Sequence, residues 1–148
     1  MLFLADNQGV IIAAAEPVAG NHHDLYNIAE LLEQLWNMLK EAGIKLDGLF
    51  LNADAGFDAE IVRQSSEHQG IIANIDLNQR SGSNLDRDVI FDEELYKHRA
   101  VIERSNAWID GFKALVLRYE TLKSTWFALH ILAMTIIFLR KICKRLQL

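Results

Sequence analysis

Leu25, Ile28, Leu32, Leu35 and Leu39 recur at alternating steps of three and four. Only an α-helix, with about 3.6 residues per turn, brings positions so spaced onto one face. Glu30, Glu33, Asn37 and Glu41 fall on the other side, so the segment predicts an amphipathic helix that must bury its apolar stripe against other elements. Gly43 follows it, a residue suited to closing a helix.

The remaining segments decide what that helix packs against. Short apolar runs at 2–5 and 10–15 flank Asp6-Asn7-Gln8-Gly9, the turn chemistry of an antiparallel hairpin. Residues 49–54 read as a short strand, and a second helix follows Gly56, with Asp58 placed to cap it. Residues 71–75 read as a further strand and 78–86 as a polar loop. A long helix is expected from near Phe91 to beyond Trp108, and a last one over 124–146. This order is mixed α/β.

A chain of 148 residues with 51% hydrophobic content and a single Pro suits one globular domain spanning 1–148. Cys143 is the only cysteine, so no internal disulfide forms. Met1 is followed by LFLAD, not by a basic region and a long apolar run, so no signal peptide is expected and the chain reads as cytoplasmic. The apolar stretch 126–139 is shorter than the roughly 20 residues a bilayer requires and contains His130, so it reads as a buried helix with no membrane partner. A net charge of -5 disfavours a polyanionic partner, but residues 1–60 hold ten of the acids and only two bases, which concentrates the bases in the second half.

Two carboxylates invite chemistry. Asp54 closes an apolar strand, and the carboxyl end of a strand in an open α/β sheet is where metals and ligands bind. Its hard oxygen donors suit Mg²⁺. On the long helix, Tyr96, Arg99, Glu103, Asn106 and Asp110 share one face beside Leu95, Ile102 and Ile109. Glu103 is therefore expected at the edge of the core and directed at Asp54. The plainer reading makes Arg99 and Glu103 an ordinary i,i+4 pair. His22, His23 and Asp24 also invite a metal, but adjacent histidines diverge and Asp24 suits a helix cap. Trp36, Trp108 and Trp126 lie on expected helices and read as core, while Arg140, Lys141, Lys144 and Arg145 suit either DNA or the end of a helix.

The blocks LNADAGFD, FDEELYKHRAVIERSNAWIDGFKALVLRYE and TWFALHILAMTIIFLRKI, preceded by LADNQGVIIAAAEPVAGNHHD, resemble the transposases of bacterial insertion sequences that carry an Asp, Asp, Glu triad. The resemblance implies a ribonuclease H-like mixed sheet flanked by helices. It implies Asp54 as the second aspartate, and Tyr96, Arg99 and Glu103 as the Tyr, Arg and Glu of the last catalytic helix. Asp54 and Glu103 would be catalytic and hold Mg²⁺ or Mn²⁺, while Tyr96, Arg99, Arg104 and Lys113 would contact DNA.

Two departures stand out. The family's lysine seven residues after the glutamate is Asp110 here, with Lys113 as a substitute, and the strand bearing the first aspartate does not precede Met1. Asp6 matches the family's hairpin acid and takes a structural role. The chain is thus expected to be the C-terminal part of a catalytic domain, lacking the first strand, with weak metal binding and slow or absent cleavage by itself.

The implied activity is metal-dependent DNA strand cleavage and strand transfer, with transposon ends and target DNA as partners. A homo-oligomer and a cytoplasmic, nucleoid-associated location complete the expectation. A catalytically silent remnant acting as a folding or association module is the alternative. An unrelated DNA-binding module ranks last, because no helix-turn-helix signal stands out.

Overall fold

The computed structural model describes residues 1–18, 23, 25–78, 89–117 and 119–146. The expected loop from residue 79 onward, His22 and the cap at Asp24 lie outside the described residues. The chain divides into two compact units, one made of Met1–Pro17 with Ala100–Leu148 and the other of Val18–Arg99.

In the first unit, β1 (Phe3–Ala5) and β2 (Ile11–Ala14) pair antiparallel, with a bulge between Leu4 and Ala5. Asp6 builds the turn: its Oδ1 accepts from the backbone N–H of Gln8 at 2.9 Å and of Val10 at 2.8 Å. The structural role expected for Asp6 is what the hairpin uses. Gly9 sits at φ 81°, and a Cβ there would lie 3.2 Å from both Ser105 Oγ and Val101 Cγ1. The hairpin turn thus packs directly on α4 (Val101–Asp110), whose buried Ser105 hydroxyl donates to the Gly9 carbonyl at 2.8 Å.

Past Gly111 comes the short α5 (Lys113–Val116), then α6 (Lys123–Leu146). Ala14, Ile109, Leu115, Ala133, Met134 and Ile137 form the buried centre of this unit. The expectation of a buried final helix is corrected here. The extent expected over 124–146 holds, with cations such as Lys123, Lys144 and Arg145 at the helix ends, but much of its apolar surface is exposed. At 24 residues, α6 is long and apolar enough to cross a membrane by length and composition, and only 22% of its most apolar window is buried. One such helix does not define a membrane protein.

In the second unit, α1 (Ile28–Glu41) buries Ile28, Leu32, Leu35 and Leu39 of the stripe read from the sequence, together with Leu31 and Trp36. It begins after Asn27, at φ 51°, so Leu25 lies before the helix, and Gly43 at φ 75° follows its end. α2 (Glu60–Glu67) packs on it, with the Trp36 indole N–H donating to Ser65 Oγ at 3.0 Å. Ala59, not Asp58, caps α2. The Asp58 carboxylate is drawn instead to Arg63, at 2.8 Å.

β3 (Phe50–Ala53) and β4 (Ile72–Ile75), linked through α2, pair in parallel with Ala53 opposite Ile75. The four strands therefore form two separate two-stranded sheets among the described residues, where a single mixed sheet was expected. The mixed α/β class holds.

Candidate functional site

A parallel pair delivers its next residues side by side. Because Ala53 faces Ile75, Asp54 and Asp76 leave the two strands at neighbouring positions at their carboxyl ends. Asp54 is extended, its Oδ1 accepts from the Ala55 N–H at 2.9 Å, and its side chain is 63% exposed.

A buried pair anchors the neighbouring backbone. Arg63 donates to Asp58 and to the carbonyls of Ala73 and Ile75, while Asp58 Oδ2 accepts from the Asn78 N–H. Removing one partner of such a pair strands a charge without compensation, so β4 and the segment carrying Asp76 are held from behind.

The third component is α3 (Glu93–Lys97). Asn74, fully buried in β4, donates through its amide nitrogen to Asn52 Oδ1 at 2.7 Å and to the Asp92 carbonyl at 3.0 Å. Its Oδ1 accepts from the Asp92 N–H at 2.7 Å. Asp92 in turn caps α3 by accepting from the Leu95 N–H at 3.0 Å. The strand pair thereby sets where α3 starts.

That placement brings Arg99 to Asp54, with Nη1 to Oδ2 at 3.5 Å, and the guanidinium lies 5.4 Å from the centre of the Tyr96 ring. Burial pushes the Tyr96 phenol above its ordinary value, the carboxylates of Asp54 and Asp76 push the same way, and Arg99 opposes them. Tyr96 is therefore neutral at physiological pH and both donates and accepts hydrogen bonds.

Of the residues singled out in the sequence, the structure gathers Asp54, Tyr96 and Arg99 in one place. Glu103, Arg104 and Lys113 belong to the other compact unit. Glu103 occupies the first turn of α4, and both it and Arg104 are exposed, which corrects the expectation of Glu103 at the edge of the core. At about 100° per residue it stands on the side of α4 opposite the buried Ser105 and Ile109.

The long helix is also not one α-helix. Residues His98–Ala100 form a 3₁₀ turn between α3 and α4, so Tyr96 and Arg99 do not share an uninterrupted α-helical stripe with Glu103. Lys113 opens α5, beyond the end of α4, and is exposed. His23 is engaged locally, with its Nδ1 accepting from the Leu25 N–H at 3.2 Å.

Sequence reading missed Asp76, Asn74, Asn52 and Asp92. One signal was available for Asp76, which like Asp54 follows an apolar run directly. The donor chemistry fits a hard divalent cation, since the exposed Asp54 carboxylate offers charged oxygen beside the neighbouring strand's Asp76. Among the described residues no cluster of three or more His, Cys, Asp or Glu forms.

Strand-end Asp54 and Asp76, with Arg99 against Asp54, mark the carboxyl end of the parallel pair in an α/β protein. The family model of the transposase DDE domain matches residues 1–138, and the chain belongs to that family. No curated protein and no solved structure matches it. Membership carries a role in DNA transposition with DNA as partner, and DDE transposase domains generally depend on divalent metal.

Proposed function

We propose that this chain takes part in metal-dependent DNA strand cleavage and strand transfer at transposon ends, in a ribonuclease H-like arrangement, with Asp54 and Glu103 as catalytic carboxylates. The observation that carries the reading is the convergence of Asp54, Arg99 and Tyr96 at the end of a parallel strand pair. Asp54 and Glu103 would hold Mg²⁺ or Mn²⁺, which would supply the Lewis acidity needed for attack by water or a 3′ hydroxyl.

The protein's own groups position and neutralise charge. The Arg99–Asp54 contact is long and partly exposed, worth about 0–1 kcal/mol, so Arg99 is free to turn to a DNA phosphate once a cation neutralises Asp54. Tyr96, kept protonated, donates to the DNA backbone and supports the Arg99 guanidinium. Arg104 and Lys113, both exposed, add phosphate contacts.

Self-association belongs to the same reading. Ile131, Phe138 and Ile142 on α6, with Leu132, Leu139 and Leu146 beside them, are exposed at the spacing that suits a second helix. A second copy of the chain covers them, and a larger mass in solution than that of one chain reports it.

The test is to incubate the purified chain with DNA carrying transposon ends and Mg²⁺ or Mn²⁺. Metal-dependent nicking, however slow, that disappears in Asp54→Asn and in Glu103→Gln supports the reading. Nicking that survives both substitutions overturns it, and no nicking at any metal concentration favours the silent association module.

A further inference from the structure

In the first unit, a pocket of about 380 Å³ opens between the end of α4 and the last turns of α6. Trp108, Phe112 and Ile137 provide its apolar floor, and Arg140, Lys141 and Lys144 stand at its wall. Among the described residues no acidic side chain lines it, in a chain whose net charge is -5. Among the described residues none of these three cations is held in an ion pair.

Cations near a helix C-terminus are favoured by the helix dipole, and that accounts for their sign. It does not account for the floor. Lys141 Nζ sits 4.1 Å from the centre of the Trp108 ring, which fixes its ammonium against the pocket by cation–π attraction. Arg140 and Lys144 are four residues apart, a spacing at which like charges repel within a helix. A phosphate between them would turn that repulsion into two charge-assisted hydrogen bonds. Aromatic surface next to unpaired cations is the combination that takes an unpaired nucleotide, with the phosphate on the cations and the base or sugar on the rings.

We infer that this pocket, lined by neither Asp54 nor Glu103, is a further DNA site, holding a nucleotide of single-stranded DNA by its phosphate at Arg140 and Lys144 and by its apolar part on Trp108 and Phe112. The inference rests on the proposed role in DNA processing and names a further surface for that partner.

The test is a fluorescence-anisotropy titration of the full chain with a labelled single-stranded oligonucleotide over a range of salt. Unlabelled duplex, inorganic phosphate and phosphatidylserine vesicles serve as competitors. Arg140→Ala/Lys144→Ala is expected to weaken binding about tenfold or more and to lower the slope of log affinity against log salt by about 0.7, the contribution of one phosphate on a single strand. Lys40→Ala/Lys45→Ala, which removes the same charge from the other unit, should leave both unchanged. Trp108→Phe should abolish the quenching of protein fluorescence by DNA, and thermal melts confirm that each variant folds.

Equal losses in the two double variants overturn the pocket and leave DNA as the partner. Oligonucleotide binding that ignores Arg140 and Lys144 does the same, while vesicle binding that depends on them reassigns the pocket to a membrane surface. A wild-type chain that binds no DNA at all overturns both the pocket and the proposed function.

Discussion

The side-chain amide of Asn74 bonds both backbone groups of Asp92, accepting from its N–H at 2.7 Å and donating to its carbonyl at 3.0 Å. A side chain at zero exposure thereby stands in for a strand partner and ties the first turn of α3, and with it Tyr96 and Arg99, to the strand that precedes Asp76. Asn74→Leu deletes these bonds and leaves the Asp92 N–H without its acceptor. It should cost about 2–3 kcal/mol in urea unfolding. Asn74→Asp keeps the acceptor but turns a buried carboxylate oxygen toward Asn52 Oδ1 and the Asp92 carbonyl, so it should cost at least as much. A loss well under about 1 kcal/mol in either variant would show that the latch is not what the amide provides.

The sequence foretold elements better than relationships. The stripe on α1, the hairpin around Asp6, the strand ending at Asp54 and the final helix were all legible, because each rests on local periodicity or turn chemistry. The neighbouring positions of Asp54 and Asp76 were not, since the register of a parallel pair is set by partners distant in sequence. Asn52 and Asn74 gave no signal for the same reason. The break at His98–Ala100 was hidden because 3₁₀ and α turns share nearly the same residue preferences over three residues.

Tyr96 reports on the strand-end carboxylates. Its phenol is raised by burial, then by Asp54 and Asp76 against the opposing Arg99, so Asp54→Asn or Asp76→Asn should lower its titration midpoint and Arg99→Ala should raise it. Ultraviolet difference titration in a Tyr26→Phe/Tyr119→Phe background isolates the signal. Since the folded value lies above the unfolded value of about 10, the associated stability is fully present below pH 10 and is lost as pH rises through the folded midpoint. Midpoints unmoved by either aspartate substitution would separate Tyr96 from the site.

Asp110 stands two turns after Glu103 on α4 and, like it, is exposed. A carboxylate on a surface that meets DNA repels phosphate, so Asp110→Lys should tighten non-specific binding at low salt and steepen its salt dependence by up to about two counterions. An affinity and slope identical to the parent chain would show that this face of α4 does not meet DNA.

The most direct measurement of the central claim is iron-mediated backbone cleavage. Fe²⁺ with ascorbate, substituting for Mg²⁺, releases radicals that cut the chain near the metal, and mass spectrometry locates the cuts. Cuts are expected beside both Asp54 and Glu103, suppressed by excess Mg²⁺ and by either Asp54→Asn or Glu103→Gln, because oxygen ligands that share a hard cation bind it together. Cuts beside only one of the two carboxylates, or cuts that persist in both variants, would contradict the assignment of Asp54 and Glu103 to a common metal-dependent site.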